Sequence, residues 1–545
     1  MSKTAKVFYP LLLSIVLCLG IWGGWSLNNN KRVTYFMDGG DALKSLSKYS
    51  NNEHNKVREL IDIIKYRYVD DVSSEKLSLT VIKNFLKELD PHSVYIPKKE
   101  FKSSRETMQG KFEGIGIVFS VFEDTIMVIN AINGGPSEKL GIRSGDKIIK
   151  VDDELVAGIN ISDNDVIKML RGKKGSKVIV SIQRNGENEL LDFEIIRDKI
   201  PIYSVDAHYL IDKETGYIKI SRFSRETYNE FKLALIELKQ KGVKNLVLDL
   251  MNNSGGYLGV AVQIIDELLA DNNLIVYTEG NNQNKKEYFA TEKGDFETGK
   301  LVVLVDEGSA SASEILAGAV QDWDRGTIVG RRTFGKGLVQ EEYMFSDSSA
   351  LRLTVARYYT PLGRSIQKPY TKGRQDYYEE YYNRFLNGEL YNKDSMKIID
   401  SNKYVTPGGK VVYGGGGIIP DYFISIDTSG TSSLYQTLRK KRLMDNFAFN
   451  YAPKQRDALL KEFTSPLAFY RSLSTSKKLK TKFKDFLIKN NIKFSSNQLQ
   501  RSEDWIFTTI KAKIAQQVWG KEAFFMIFNE LNPSYKKAVE LMKKS

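Results

Sequence analysis

Cysteine is almost missing from this chain of 545 residues. The single Cys18 excludes an intrachain disulfide and leaves no thiol in the folded part for a metal cluster or a thiol nucleophile. Histidine is nearly as scarce. Only His54, His92 and His208 occur, so a hydrolase that takes its base or metal ligands from histidine has little to draw on. His54 and His92 fall in a segment of helical patterning, and His208 in a strand-like stretch ahead of an α/β region. A phosphate-binding loop is missing too: Lys336 has glycines on both sides, but Gly337 follows it where a Ser or Thr is required. What the chain does have is 41% hydrophobic residues, enough for packed cores, and a net charge of +13. At roughly 150 residues per domain, the length implies about three or four units. The basic run 477–484 alternates with Leu479 and Phe483 and reads as the solvated face of a helix, so no nucleic-acid partner is expected.

At the N-terminus, Lys3 and Lys6 precede an apolar stretch over 7–27. About twenty such residues suffice to span a bilayer, and the lysines would stay cytoplasmic while the rest is exported. No small-x-small cleavage site precedes Asn28, and Leu17 rather than a small residue precedes Cys18. An uncleaved anchor is therefore expected over a signal peptide or a lipoprotein. The expected location is the inner membrane, single-pass, with the catalytic part facing the periplasm.

Residues 53–108 show helical spacing, with Val57, Leu60, Ile61 and Ile64 and then Leu79, Ile82, Phe85 and Leu86. Pro91 breaks the second helix. From 110 to 198 short β-rich runs alternate with turns, with one helical pattern at 162–170. From 201 to 367, with a return at 414–426, strands alternate with helices, which implies a layered α/β core. The intervening 367–414 stretch is polar and carries Tyr377, Tyr378, Tyr381 and Tyr382, the mark of an insertion. Beyond 430 the pattern is helical and basic.

The chemistry concentrates in two strand–loop–helix units. One runs from a buried strand at 301–305 through Gly308-Ser309-Ala310-Ser311-Ala312-Ser313-Glu314 into a helix expected over 310–323. A nucleophile at such a helix mouth has small neighbours that admit a polypeptide, unsatisfied N–H groups and a favourable dipole for a developing oxyanion. Helix capping by Ser309 and Ser313 explains the serines equally well. The other unit carries Ser254-Gly255-Gly256, whose backbone N–H groups would join the Ala312 N–H around an oxyanion; a plain tight turn is the alternative. A serine needs a base. Lys336 lies in Phe334-Gly335-Lys336-Gly337-Leu338-Val339-Gln340, where apolar neighbours would disfavour its charged form. Gln340 falls on the same side of the expected strand. A solvated surface lysine is the competing reading. In the β-rich module, Gly114, Ile115, Gly116 and Ile117 form a glycine-bearing loop that enters a strand, suited to holding a peptide carboxylate beside an open sheet edge or simply to a turn.

Taken together, these motifs resemble the C-terminal processing (tail-specific) serine peptidases with a PDZ domain. Lys336 follows Ser311 by 25 residues and Gln340 follows Lys336 by 4, which matches that family. The stretches 89–95, 112–117, 140–146, 170–172, 360–367 and 417–421 are similar to its other signatures. The resemblance implies that Ser311 is the nucleophile, Lys336 the general base and Gln340 its orienting partner. Ala312, Gly255 and Gly256 would serve the oxyanion, and neither metal nor cofactor would be needed. It implies an α/β multidomain fold. A transmembrane signal anchor (1–28) and an N-terminal helical domain (50–108) lead to a PDZ domain (109–198). A crotonase-like peptidase core (199–426, with a 368–413 insertion) and a C-terminal helical domain (427–545) follow. The implied function is PDZ-directed cleavage of unstructured or tailed envelope proteins, with a homodimer or an adaptor lipoprotein as further partners and Arg171 linking peptide occupancy to the core. A catalytically inactive tail-binding scaffold is the main alternative, and an acyl-transfer or hydratase enzyme of crotonase-like architecture the other. One departure stands out: the family's strand motif Asp-Leu-Arg has Met251 in place of the arginine.

Overall fold

The computed structural model describes residues 51–291, 293–398 and 402–543. The chain divides into two units, 1–74 and 75–545. In the first, the described element is the helix Asn51–Arg67 (α1), on which Leu60, Ile63 and Tyr66 are exposed. The apolar stretch 7–27 lies outside the described residues. Among those that are described, no helix is long and apolar enough to cross a membrane. This corrects the expected single-pass inner-membrane location: a bilayer demands about twenty apolar residues in one helix, and none of the described helices supplies them.

The second unit opens with the helix Ser74–Lys87 (α2), the short strand Val94–Ile96 (β1) and the helix Lys98–Gln109 (α3), which Gly110 ends in the left-handed region at φ 71°. A β-rich module follows. Its strands are Lys111–Gly114 (β2), Ile117–Phe122 (β3), Thr125–Ala131 (β4), Lys147–Val151 (β5), Glu154–Leu155 (β6), Lys177–Gln183 (β7), Leu191–Ile196 (β8) and Asp198–Pro201 (β9), with the helix Asp163–Leu170 (α4) between β6 and β7. β2 and β9 pair at the neck, and the sheet order β3-β4-β5-β7-β8 leaves β3 at an edge. Alternating apolar residues such as Ile126, Val128, Ile148, Val178 and Val180 pack on Val166 and Leu170 of α4.

Next comes the layered core. Val205–Leu210 (β10), Thr215–Ile220 (β11), the helix Thr227–Gln240 (α5), Asn245–Asp249 (β12), the helix Leu258–Asp266 (α6), Leu274–Gly280 (β13), Gln283–Phe289 (β14), Leu301–Val305 (β15), the helix Ala312–Asp322 (α7), Thr327–Gly330 (β16), Leu338–Met344 (β17) and Ala350–Tyr359 (β18) follow in chain order. The helix Arg374–Leu386 (α8), the small hairpin Lys403–Val405 (β19) and Val411–Tyr413 (β20), and the strand Tyr422–Phe423 (β21) complete it. One sheet has the order β10-β11-β12-β15-β16-β21, parallel from β11 onward. β15 is an unbroken apolar run and β12 has an apolar centre, Leu246 to Leu248, as strands buried on both faces require. α5, α6 and α7 cover one face. A second, antiparallel sheet runs β1-β18-β13-β14, with β17 also paired to β18.

The remaining helices form a bundle that includes Leu443–Glu462 (α9) and Glu503–Trp519 (α10); the last described helix is Pro533–Lys543 (α11). Ala538 and Met542 of α11 pack on Tyr217, Val247, Val302, Leu304 and Val329, the second face of the parallel sheet. Met127 and Ile129 of the β-rich module pack on Phe449 of α9.

Candidate active site

The parallel strands place two loops side by side at their carboxyl ends. β12 leads into 250–257 and β15 into 306–311. Ser309 Oγ donates to the Leu250 carbonyl at 2.8 Å, and Ser313 Oγ to that of Asn253 at 2.8 Å. Both serines are fully buried, so their hydroxyls serve to stitch one loop to the other. Ser311 is only partly buried and sits at the helix mouth with φ 54° and ψ −114°, a conformation a non-glycine residue adopts only under constraint. These contacts tie Ser309 and Ser313 into the loops and leave Ser311, which the resemblance names, as the partly accessible serine.

The glycine loop presses on this elbow. A Cβ on Gly255 (φ +94°) would stand 2.6 Å from Ala310 O and 2.8 Å from Ser311 Cβ, so only glycine fits. The expectation that Gly255 offers its N–H to an oxyanion is corrected: that N–H donates to Asn253 Oδ1 at 2.9 Å, because the asparagine folds back over its own turn. The Gly256 and Ala312 N–H groups have no partner among the described residues.

Lys336 precedes β17 in a loop bordered by glycines. Its amine donates to Gln340 Oε1 at 2.7 Å, and Gln340 Nε2 donates to the His92 carbonyl at 2.7 Å. The amine is bonded to Gln340 and not to the Ser311 hydroxyl. Burial pushes the Lys336 amine down to about 8, and the charge of Arg352 adds to this while Asp90 and Glu314 oppose it. His92 is no rival base. Its ring meets the Tyr377 hydroxyl at 2.8 Å, and burial, together with the charge of Lys336, lowers it to about 4.

Three residues at this site escaped the reading of the sequence. Glu314 is fully buried, and its carboxylate accepts from Ser311 N–H (2.8 Å), Lys336 N–H (2.9 Å), Gly335 N–H (2.7 Å) and Thr333 Oγ (2.6 Å). Burial raises its carboxyl, against the pull of those four donors. The spacing Ser311-x-x-Glu314 is a capping-box signal that announced part of this. The buried Tyr358 hydroxyl lies 3.1 Å from the Ser311 carbonyl and also bonds that of Lys336; nothing in the sequence marked it. His92 contributes through its main chain, which no side-chain pattern reveals.

In the β-rich module, the Ile115 and Gly116 carbonyls are tied to Ser137 and Ile132 N–H groups, and Gly116 has φ +79°. Gly114 bridges Arg171 across to the end of α4, and Ile117 begins the edge strand β3. Arg171 pairs with Glu106 of α3 at 2.6 Å and lies over the Phe112 ring at 4.5 Å. It therefore joins the module to the helix before it.

Residues 214–374 match the model of peptidase family S41, 114–195 that of a PDZ domain and 434–520 that of a family of unknown function. A carboxy-terminal-processing protease of Bartonella bacilliformis is 35% identical over 353 residues, 62% of this chain and 80% of that protein. The carboxy-terminal processing protease CtpB of Bacillus subtilis is 35% identical over 356 residues, covering 64% and 73%. CtpA of the same organism is 33% identical over 371 residues, covering 68% and 76%.

Proposed function

The chain belongs to the carboxy-terminal processing proteases, serine peptidases of family S41, and from that premise we propose that Ser311 and Lys336 are its catalytic dyad. Ser311 Oγ attacks a peptide carbonyl carbon while neutral Lys336 takes the hydroxyl proton. The Gly256 and Ala312 N–H groups hold the oxyanion of the tetrahedral intermediate. Its collapse breaks the C–N bond, and the Lys336 ammonium protonates the departing amine. Water then attacks the ester carbonyl and gives a proton to Lys336; collapse breaks the ester C–O bond, and the Lys336 ammonium returns that proton to Ser311 Oγ as the acid leaves. Gln340 accepts from the amine and donates to His92 O, so the lysine lone pair is left for the serine. One observation carries the assignment: Ser311 is the partly accessible serine of a strained elbow whose other two serines are locked into structure.

Protein substrates with unstructured tails fit a protease that has a PDZ domain. The tail would add to the β3 edge, with its carboxylate at 114–117, and Arg171 would report occupancy through Glu106. The α/β core supports the finer crotonase-like reading, and the boundaries 50–108, 109–198, 199–426 and 427–545 follow the composition of the elements. The described fold offers no support for a homodimer or an adaptor lipoprotein, and the inactive scaffold is disfavoured by the complete Ser–Lys–Gln set.

The test is cleavage of an unfolded protein with an apolar C-terminal tail by the parent enzyme and by folded Ser311→Ala and Lys336→Ala variants. Loss in both variants supports the dyad. Undiminished cleavage in either one removes it.

A further inference from the structure

Ser311 and Lys336 reach the site on different supports. Ser311 opens α7, which covers the parallel sheet, whereas Lys336 leads into β17 of the antiparallel sheet. Among the described residues the two sheets share no strand pairing, and one backbone bond, Phe334 N–H to Ser309 O at 3.0 Å, ties the two loops, yet proton transfer tolerates little misplacement. We propose that Glu314 and Tyr358 are paired positioning residues that lock the main chain of the nucleophile to the main chain of the base. This rests on the assignment of Ser311 and Lys336 above.

The geometry is two-sided. A single oxygen, Glu314 Oε2, accepts the N–H of Ser311 at 2.8 Å and that of Lys336 at 2.9 Å, so the two peptides cannot separate without one losing its partner. The other oxygen takes Thr333 Oγ and Gly335 N–H, which fixes the approach of the lysine loop. On the carbonyl side, the Tyr358 hydroxyl reaches both Ser311 O and Lys336 O. Glu314 thus holds both catalytic residues at their N–H groups, and the single Tyr358 hydroxyl proton is shared between their two carbonyls. Held at both ends, the Ser311 backbone can keep φ 54° and ψ −114° without relaxing. Both side chains are buried, and Tyr358 stands on β18 between neighbouring strands, so the brace is itself rigid. Helix capping accounts for the Ser311 bond alone. The three donors from 333–336 belong to a segment outside the helix.

Tyr358→Phe removes one hydroxyl and keeps the ring. Glu314→Gln keeps the shape but turns an amide donor toward N–H groups. Each full-length variant is assayed well below its own melting temperature for kcat and KM on the tailed polypeptide. Two more readings are the labelling rate of Ser311 by a small fluorophosphonate and the binding of a free tail peptide. Both variants are expected to lose kcat and labelling rate together, between about 10-fold and 100-fold, with KM and tail affinity within about twofold of the parent. In a Lys336→Ala background, Tyr358→Phe is expected to cause no further loss of labelling. Unchanged kcat and labelling per folded molecule, or losses that merely follow the unfolded fraction, would overturn the brace. Full cleavage by Ser311→Ala or Lys336→Ala would instead overturn the dyad on which it rests.

Discussion

As the proposed base, Lys336 trades stability for a proton-accepting amine. A base that titrates near 8 makes kcat/KM rise with pH up to about 8 and level off above it, which a pH–rate profile checks. Lys336→Arg should be inactive at every pH, since a guanidinium stays protonated. The linked effect on stability has a definite sign. Between about 8 and 10.5 the unfolded chain binds a proton that the folded one does not, so stability rises with pH across that window and the cost is fully present below it. Lys336→Met should therefore raise the unfolding free energy at pH 7 by about 2 kcal/mol once the unpaired Gln340 amide is allowed for, and by less at pH 10. Thermal denaturation at the two pH values measures this. Met251, the departure from the family motif, has a structural reason. It lies in the apolar layer beneath the C-terminal helices, 3.6 Å from the Asn532 amide, while the Lys219 amine bonds both Asp249 and the Met251 carbonyl. An arginine there would bring a second cation beside Lys219. Met251→Arg should cost about 2 kcal/mol in denaturant unfolding.

Among the elements, α8 accounts for the tyrosine-rich insertion. Arg384 donates to the carbonyls of Arg332, Thr333 and Phe334, the residues that lead into Gly335 and Lys336. Arg374 donates to those of Leu86, Asp90 and Ser93. The Lys368 amine lies 4.1 Å from the Phe334 ring centre and 4.2 Å from that of Tyr377. The helix thereby grips both the lysine loop and the His92 loop that holds Gln340. Arg384→Ala leaves three buried carbonyls short of a donor. It should cost about 3 kcal/mol, and folded enzyme should lose kcat far more than it gains in KM. Steady-state kinetics beside a denaturant curve separate the two effects.

At the scale of the molecule, the C-terminal helices pack on the peptidase core. α11 seals the second face of the parallel sheet, so truncation near 430 would bare Tyr217, Val247, Val302 and Leu304. Such a chain should aggregate, which gel filtration would show. The same bundle meets the PDZ region through Phe449, and Pro453 of α9 lies against Gly145. Phe449→Ala should loosen that seat by about 3 kcal/mol and alter tail-dependent cleavage while cleavage of a short untailed peptide persists. Charge is uneven at this scale. Residues 434–520 hold 18 basic and 6 acidic residues, so this segment carries nearly all of the chain's net charge of +13.

The order of elements, the β-rich module, the buried parallel strands and the contact of Lys336 with Gln340 were legible in the amino-acid order. Each leaves a local trace: an apolar run, a glycine pair, a fixed spacing along one strand. Residue chemistry alone left helix capping as good a reading of these serines, and only the resemblance named Ser311; what ties Ser309 and Ser313 down are the carbonyls of Leu250 and Asn253, which lie 59 and 60 residues away. Sequence misassigned the Gly255 N–H, since an amide's partner depends on how a side chain folds over a turn. It gave no sign of Tyr358, which meets Ser311 across 47 residues and the boundary between two sheets. Backbone periodicity is written by neighbours in the chain and can be read from them. Which distant groups share a hydrogen bond is decided only when layers pack, and it is there that the nucleophile and its base are brought into register.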